Sequence, residues 1–155
     1  MKTRILMVCL GNICRSPLAE GILTSMVDTN KVIVDSAGTG HWHVGNHPDP
    51  RSVATAKKHG IDISKQRGRQ FSIRDFTIFD IIYVMDSSNM ENVLSLSETK
   101  ADREKVSLIL DNIFPDENVD VPDPYYGGEL GFENIYKMLD KACEQITLKL
   151  EAQKP

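Results

Sequence analysis

The feature that most constrains this chain is an apolar strand, a tight loop and a helix, followed at once by a second apolar strand. Arg4-Ile5-Leu6-Met7-Val8 is a short run of buried-strand type. Gly11 and Asn12 supply loop chemistry, and Ser16-Pro17 reads as an N-cap and first helical residue. Leu18, Ala19, Ile22, Leu23, Met26 and Val27 then recur at helical spacing. Glu20 falls in the expected first turn, where a negative charge suits the helix dipole. Lys31 to Asp35 is a second strand. Strands joined through a helix pair in parallel, with a right-handed crossover.

The alternation continues along the chain. Asp49-Pro50 caps a short helix that runs through His59 and ends at Gly60. Asp80 to Met85 is a third strand, Asp86-Ser87-Ser88 starts another helix, and Lys105 to Leu110 is a fourth strand. A polar, proline-bearing loop from Phe114 to Gly128 leads into a last helix. That helix has Phe132, Ile135, Tyr136, Leu139, Ala142, Cys143, Ile146 and Leu150 on one face. The pattern predicts an α/β sandwich around a parallel sheet, as one domain over residues 1–155. Ligands of such sheets bind beyond the carboxyl ends of the strands, where the loop Cys9 to Ser16 lies.

That loop, Cys9-Leu10-Gly11-Asn12-Ile13-Cys14-Arg15-Ser16, places five residues between a cysteine and an arginine. Each part has a task if the ligand is a phosphate. A thiol attacks only as thiolate, a form favoured at helix N-termini and beside cations. Loop amides at a helix N-terminus make an anion nest. The Arg15 fork can hold two phosphate oxygens and follow them into the transition state. Ser16 is placed to hydrogen-bond the sulfur. Cys-x5-Arg alone is weak, since a cysteine ending a buried strand is most often a small apolar filler. Its context, a strand before and a Ser-Pro helix start after, is what gives it weight. Rival phosphate motifs are absent: there is no Gly-x4-Gly-Lys-Ser/Thr, and Gly38-Thr39-Gly40 lacks the third glycine of a dinucleotide fingerprint.

A cysteine that transfers phosphate needs an acid for the leaving oxygen. Asp49-Pro50 precedes a helix and reads as its cap. Asp123-Pro124-Tyr125-Tyr126-Gly127-Gly128 sits in a long loop after the last strand, and loops of that length are often functional. Asp123 is therefore favoured as the acid, with the two tyrosines offering an apolar wall to an aromatic leaving group.

At this point the chain resembles the low-molecular-weight protein tyrosine phosphatases. Val8 to Pro17 looks like that family's phosphate loop without a gap, and Asp123-Pro124-Tyr125-Tyr126-Gly127 looks like its general-acid loop. Asp35-Ser36-Ala37-Gly38-Thr39, Pro48-Asp49-Pro50-Arg51 and Met85-Asp86 match weaker family signatures in the right order. The resemblance implies a three-layer, flavodoxin-like sandwich with a four-stranded parallel sheet in order 2-1-3-4. It implies Cys9 as nucleophile, Arg15 as phosphate ligand, and Asp123 as acid and then base. Leu10, Gly11, Asn12, Ile13, Cys14, Arg15 and Ser16 would surround the phosphate. Asn12, Ser16 and Ser36 would support the loop, and Trp42, Tyr125 and Tyr126 would form the rim. The substrate would be a phosphotyrosine-bearing protein, with no cofactor or metal, and the protein a monomer or weakly self-associating.

Other features have plainer roles open to them. Cys14 is either a packing residue or a resolving thiol that traps oxidised Cys9 as a disulfide; Cys143, on the apolar helix face, reads as core. His41, His43 and His47 with Asp49 resemble a metal cluster, but a solvated loop beside the active-site rim is the better reading. Lys65, Arg67, Arg69 and Arg74 form a basic run, either a solvated turn or an attractor of acidic phosphopeptides. Arsenate reduction would require two further cysteines after the third strand, and Met85 to Lys105 has none. A non-catalytic phosphate-binding or redox-sensing module would not need Asp123.

Composition closes off other classes. With three cysteines in 155 residues there is no disulfide scaffold, and a net charge of −4 argues against sequence-independent nucleic-acid binding. The longest N-terminal apolar run, Ile5 to Leu10, is far short of the roughly 20 residues that span a bilayer. It also lacks a secretory layout, so a cytoplasmic location with no membrane partner is expected.

Overall fold

The computed structural model describes residues 2–124 and 129–153. Four strands, β1 (Thr3–Cys9), β2 (Val32–Gly38), β3 (Ile81–Val84) and β4 (Val106–Leu108), form one parallel sheet in the order β2-β1-β3-β4. Strand β1 is central and pairs on both sides. Thr3 to Cys9 run opposite Val32 to Gly38, and Ile5 to Val8 opposite Ile81 to Val84. The order reverses at β1, so its carboxyl end opens at a topological switch point.

Both faces of β1 are buried, which explains its unbroken apolar sequence. Ile5, Met7 and Cys9 point into one core, together with Leu18, Ile22 and Leu23 of α1 (Arg15–Met26) and Ile135, Leu139, Ala142, Cys143 and Ile146 of α6 (Glu129–Ala152). Leu6 and Val8 point into the other, with Phe71, Phe76, Phe79, Ile82, Val84 and Val93. The period of two along a strand thus puts the Cys9 sulfur on the α1 side. Helix α2 (Pro50–Lys58) is capped by Asp49, whose carboxylate accepts from the Arg51 amide, and Gly60 follows at φ +80°. Two very short helices, α3 (Asp75–Ile78) and α5 (Lys100–Glu104), flank α4 (Ser87–Ser95) in chain order.

Besides α3 and α5, which the sequence reading lacked, and β2, which runs on past Asp35 to Gly38, the elements differ from that reading in three places. Helix α1 begins at Arg15, and no side chain caps it. Ser16 lies inside the helix and its hydroxyl goes to the Cys9 sulfur and the Asn12 side chain instead. Glu20 therefore lies beyond the first turn and bonds Ser36 of β2 rather than serving the dipole. The fourth strand stops at Leu108, because Ile109–Asn112 tightens into a 3-10 turn that turns Ile109 and Leu110 into the core. No helix among the described residues is long and apolar enough to cross a membrane.

Candidate active site

Cys9 ends β1, and the chain then curls through residues 10–14 before α1 begins. The curl is held at Asn12, which adopts φ +58°, a left-handed conformation that asparagine tolerates better than most residues. The Asn12 side chain is clamped from two directions. Its Oδ1 accepts from the Arg69 backbone amide at 3.0 Å, and its Nδ2 donates to Ser16 Oγ at 2.8 Å. Because a backbone N–H can only donate, the first bond fixes which way the amide faces. The second then leaves the single proton of Ser16 for Cys9 Sγ, 2.9 Å away. The Asn12 amide also donates to that sulfur at 3.3 Å. Two donors thus meet the sulfur, Ser16 at the place the sequence reading gave it and Asn12 through a backbone amide that reading did not single out.

Arg15 is only 2% exposed. Its Nη1 donates to Asp86 Oδ2 at 2.6 Å and to the Val121 carbonyl at 2.8 Å. Asp86 serves two ends at once, since its other oxygen caps α4 through the Asn89 amide. Burial opposes the charge on Arg15, but Cys9 and Asp86 outweigh it and hold the guanidinium above its ordinary range. Asp123 stands at the mouth, with Oδ2 3.8 Å from Arg15 Nη2 and its side chain 46% exposed. Asp49 is a poorer acid. Hydrogen bonds from the Arg51 side chain hold it below the usual carboxylate range, so it stays ionised.

These groups surround a cleft of about 230 Å³ whose walls are Cys9, Leu10, Gly11, Ile13, Cys14, Arg15, Trp42, His43 and Asp123. The cleft therefore gathers Cys9, Arg15 and Asp123, the residues chosen from sequence, with Trp42 on its rim at 63% exposure. Tyr125 and Tyr126 lie outside the described residues. Beneath the loop, Phe132 of α6 packs against Ile13 and Cys14. Burial, with Asp49 and Cys9 adding to it, pushes the Cys14 thiol up to about 12. Cys143 is fully buried in the α1–α6 core, and its thiol is likewise pushed up by burial.

Several placements depart from the sequence reading. Ser36 does not touch the loop; its hydroxyl donates to Glu20 Oε1 at 2.7 Å, so any support it gives passes through α1. Arg69 is not a free surface charge: its guanidinium is paired with Asp35 and Asp75 while its backbone holds Asn12. The basic run contains no acid in sequence, but the fold brings two to it. Among the described residues, no three histidine, cysteine or acidic side chains are grouped to hold a metal ion. His43 instead lines the cleft, with its ring packed over Gly11 and Nδ1 3.2 Å from Asn46 Nδ2. The sequence put His43 in a loop beside the rim, and the structure brings it into the wall itself; Asp86 and Val121 as the holders of Arg15 were missed. The Met85-Asp86 pair was the one available signal for the latter.

Glu20 gives a measurable consequence. Burial first, then neighbouring Asp35, raise its carboxyl from 4.5 to about 7, against the lowering effects of Ser36 and Arg69. Between those values the folded chain holds a proton that the unfolded chain has lost, so this group makes stability fall as pH rises from 4.5 to about 7. Glu20→Gln keeps an oxygen for Ser36 but cannot ionise. It should stabilise the protein at pH 8 by about 1–3 kcal/mol and do nothing at pH 4. Urea unfolding at the two pH values checks this, and an equal effect at both would refute it.

Comparison with known proteins agrees with the geometry. A family model described as low molecular weight phosphotyrosine protein phosphatase matches residues 4–155. A Schizosaccharomyces pombe protein of that name is 44% identical over 141 residues, covering 88% of this chain and 89% of the relative. The crystal structure of a protein tyrosine phosphatase from Entamoeba histolytica, with Hepes in its active site, superposes with a TM-score of 0.91 at 37% identity. It covers 99% of this chain and 100% of that one. Wzb of Vibrio vulnificus, in complex with benzylphosphonate, gives a TM-score of 0.86 at 28% identity, covering 96% of this chain and 99% of that one.

Proposed function

The chain belongs to the low molecular weight phosphotyrosine protein phosphatase family, and from that premise we propose that it hydrolyses phosphotyrosine and other aryl phosphates through a phosphocysteine intermediate. The observation that carries the proposal is the convergence of Cys9, Arg15 and Asp123 on one cleft at the carboxyl end of β1. The benzylphosphonate held by the Vibrio relative is an aryl analogue of the proposed substrate. The reading takes residues 1–155 as one catalytic domain, in keeping with a family match that runs almost end to end.

In the first step the Cys9 thiolate forms a bond to phosphorus while the bond to the aryl oxygen breaks. Asp123 gives its proton to that oxygen, and the phenol leaves. Arg15, pinned by Asp86 and Val121, faces the charge on the equatorial oxygens without having to reorganise. In the second step water attacks phosphorus, Asp123 takes its proton, and the bond to sulfur breaks. The proton of Ser16 meets the charge returning to the sulfur. Inorganic phosphate then leaves.

One group must start ionised and the other protonated, so kcat/KM should be bell-shaped in pH. Asp123→Ala should lower kcat on p-nitrophenyl phosphate by roughly 10²–10³-fold, remove one limb of the profile and leave competitive inhibition by inorganic phosphate nearly unchanged. A variant that retains the full bell would remove Asp123 from the mechanism.

Cys14 belongs to the same proposal. If a peroxide converts Cys9 to its sulfenic acid, the Cys14 thiol condenses with it, forming a disulfide and releasing water. Both residues line the cleft, and burial keeps Cys14 a thiol until then.

A further inference from the structure

We propose that Gly40 is a positioning residue for the aromatic wall of the cleft. It carries no side chain, so the Trp42 indole can fold back into the space a Cβ would take, and this sets where the ring stands beside the bound ester. The proposal rests on the phosphatase reading above.

A Cβ built on Gly40 would overlap Cζ3 and Cε3 of the indole and stand 2.8 Å from Cη2. The neighbouring backbone is tied to the phosphate loop: Thr39 N donates to the Cys9 carbonyl at 2.9 Å and Gly40 N to the Leu10 carbonyl at 2.8 Å. The indole is therefore referenced to the reacting sulfur through two short hydrogen bonds and one glycine. Nothing in the backbone itself demands glycine here, because the described glycines with positive φ are Gly45 and Gly60. Alanine fits the chain at position 40 but not the ring beside it. The ring is mostly exposed and, among the described residues, stacks on His41 alone, with centroids 5.5 Å apart, so it can move without disturbing the core. The space at Gly40 thus governs substrate fit rather than stability.

Trp42 is the single tryptophan of the chain, so its fluorescence reads its position directly. Gly40→Ala should raise acrylamide quenching of that fluorescence. It should raise KM for p-nitrophenyl phosphate by roughly three- to tenfold, the size of a lost aromatic contact, with kcat little changed. Activity on β-glycerophosphate, which has no ring, and inhibition by inorganic phosphate should stay as in the parent protein. In a Trp42→Ala background, adding Gly40→Ala should change nothing further. Gly40→Ser, which adds the same Cβ, should repeat the quenching and KM changes. Unchanged quenching in Gly40→Ala, or a further rise of KM in the Trp42→Ala background, would overturn the proposal. So would failure of both Gly40 variants to fold, since glycine would then serve the fold itself. If the parent protein hydrolyses no aryl phosphate, the phosphatase reading fails, while the quenching comparison still judges Gly40.

Discussion

Cys9→Ser should leave p-nitrophenyl phosphate unhydrolysed, with kcat reduced by about 10⁴-fold or more, while the folded protein still binds inorganic phosphate. A serine hydroxyl at this position has the same neighbours as the thiol, the Ser16 hydroxyl and the Asn12 amide, and both of these donate. Donors can favour a charge already present, but they cannot take a proton away. Serine is a weak nucleophile unless an adjacent base does so. In the proposed mechanism Asp123, 3.8 Å from Arg15 at the mouth, serves the leaving group. The pocket is otherwise unchanged, so phosphate should still compete for it. Steady-state kinetics with a phosphate-competition assay separates the two effects, and turnover within tenfold of the parent protein would eliminate the phosphocysteine route.

Arg15→Lys should be nearly as damaging, with kcat/KM down by about 10³-fold, but through a different parameter. Arg15 spends Nη1 on Asp86 and Val121 and keeps Nη2 on the Asp123 side of the cleft. A lysine ammonium has three donors on one atom, so satisfying the partly buried Asp86 carboxylate draws the charge away from phosphate, and reaching phosphate abandons the carboxylate. Inorganic phosphate should therefore bind more weakly to this variant, in contrast to Cys9→Ser. The acidic chain, at −4 net, offers no general field to compensate. A lysine variant with undiminished phosphate affinity would show that Arg15 is a structural cation.

The contrast between these residues shows what could be read from sequence. Cys9, Asn12, Arg15 and Ser16 lie within one short stretch, and loop closure brings them together wherever the rest of the chain goes. The central strand was legible because burial on both faces leaves an unbroken apolar run. The sheet order came with the family resemblance, which periodicity alone does not provide. The short helices α3 and α5 were not legible, since four or five residues carry too little of a 3.6-residue period. Ser16 was misplaced as a cap because its hydroxyl has two possible uses, and the chain spends it on the sulfur. Arg69 looked like solvent-facing charge because Asp35 and Asp75 meet it only in the folded state. Asp49 was already legible as a helix cap from its place before Pro50, and the structure adds that Arg51 bonds its carboxylate.

The placement of Arg15 has a consequence for how the site comes into being. Its anchors lie 71 and 106 residues away along the chain, one at the end of β3 and the other beyond β4. No local folding event can set the guanidinium, because three segments must first be gathered by the sheet. A ten-residue peptide from Val8 to Pro17 would carry the entire motif and yet lack its working geometry. The working placement of Arg15 thus belongs to the assembled fold, since β1, the end of β3 and the segment beyond β4 must all be in place to hold it.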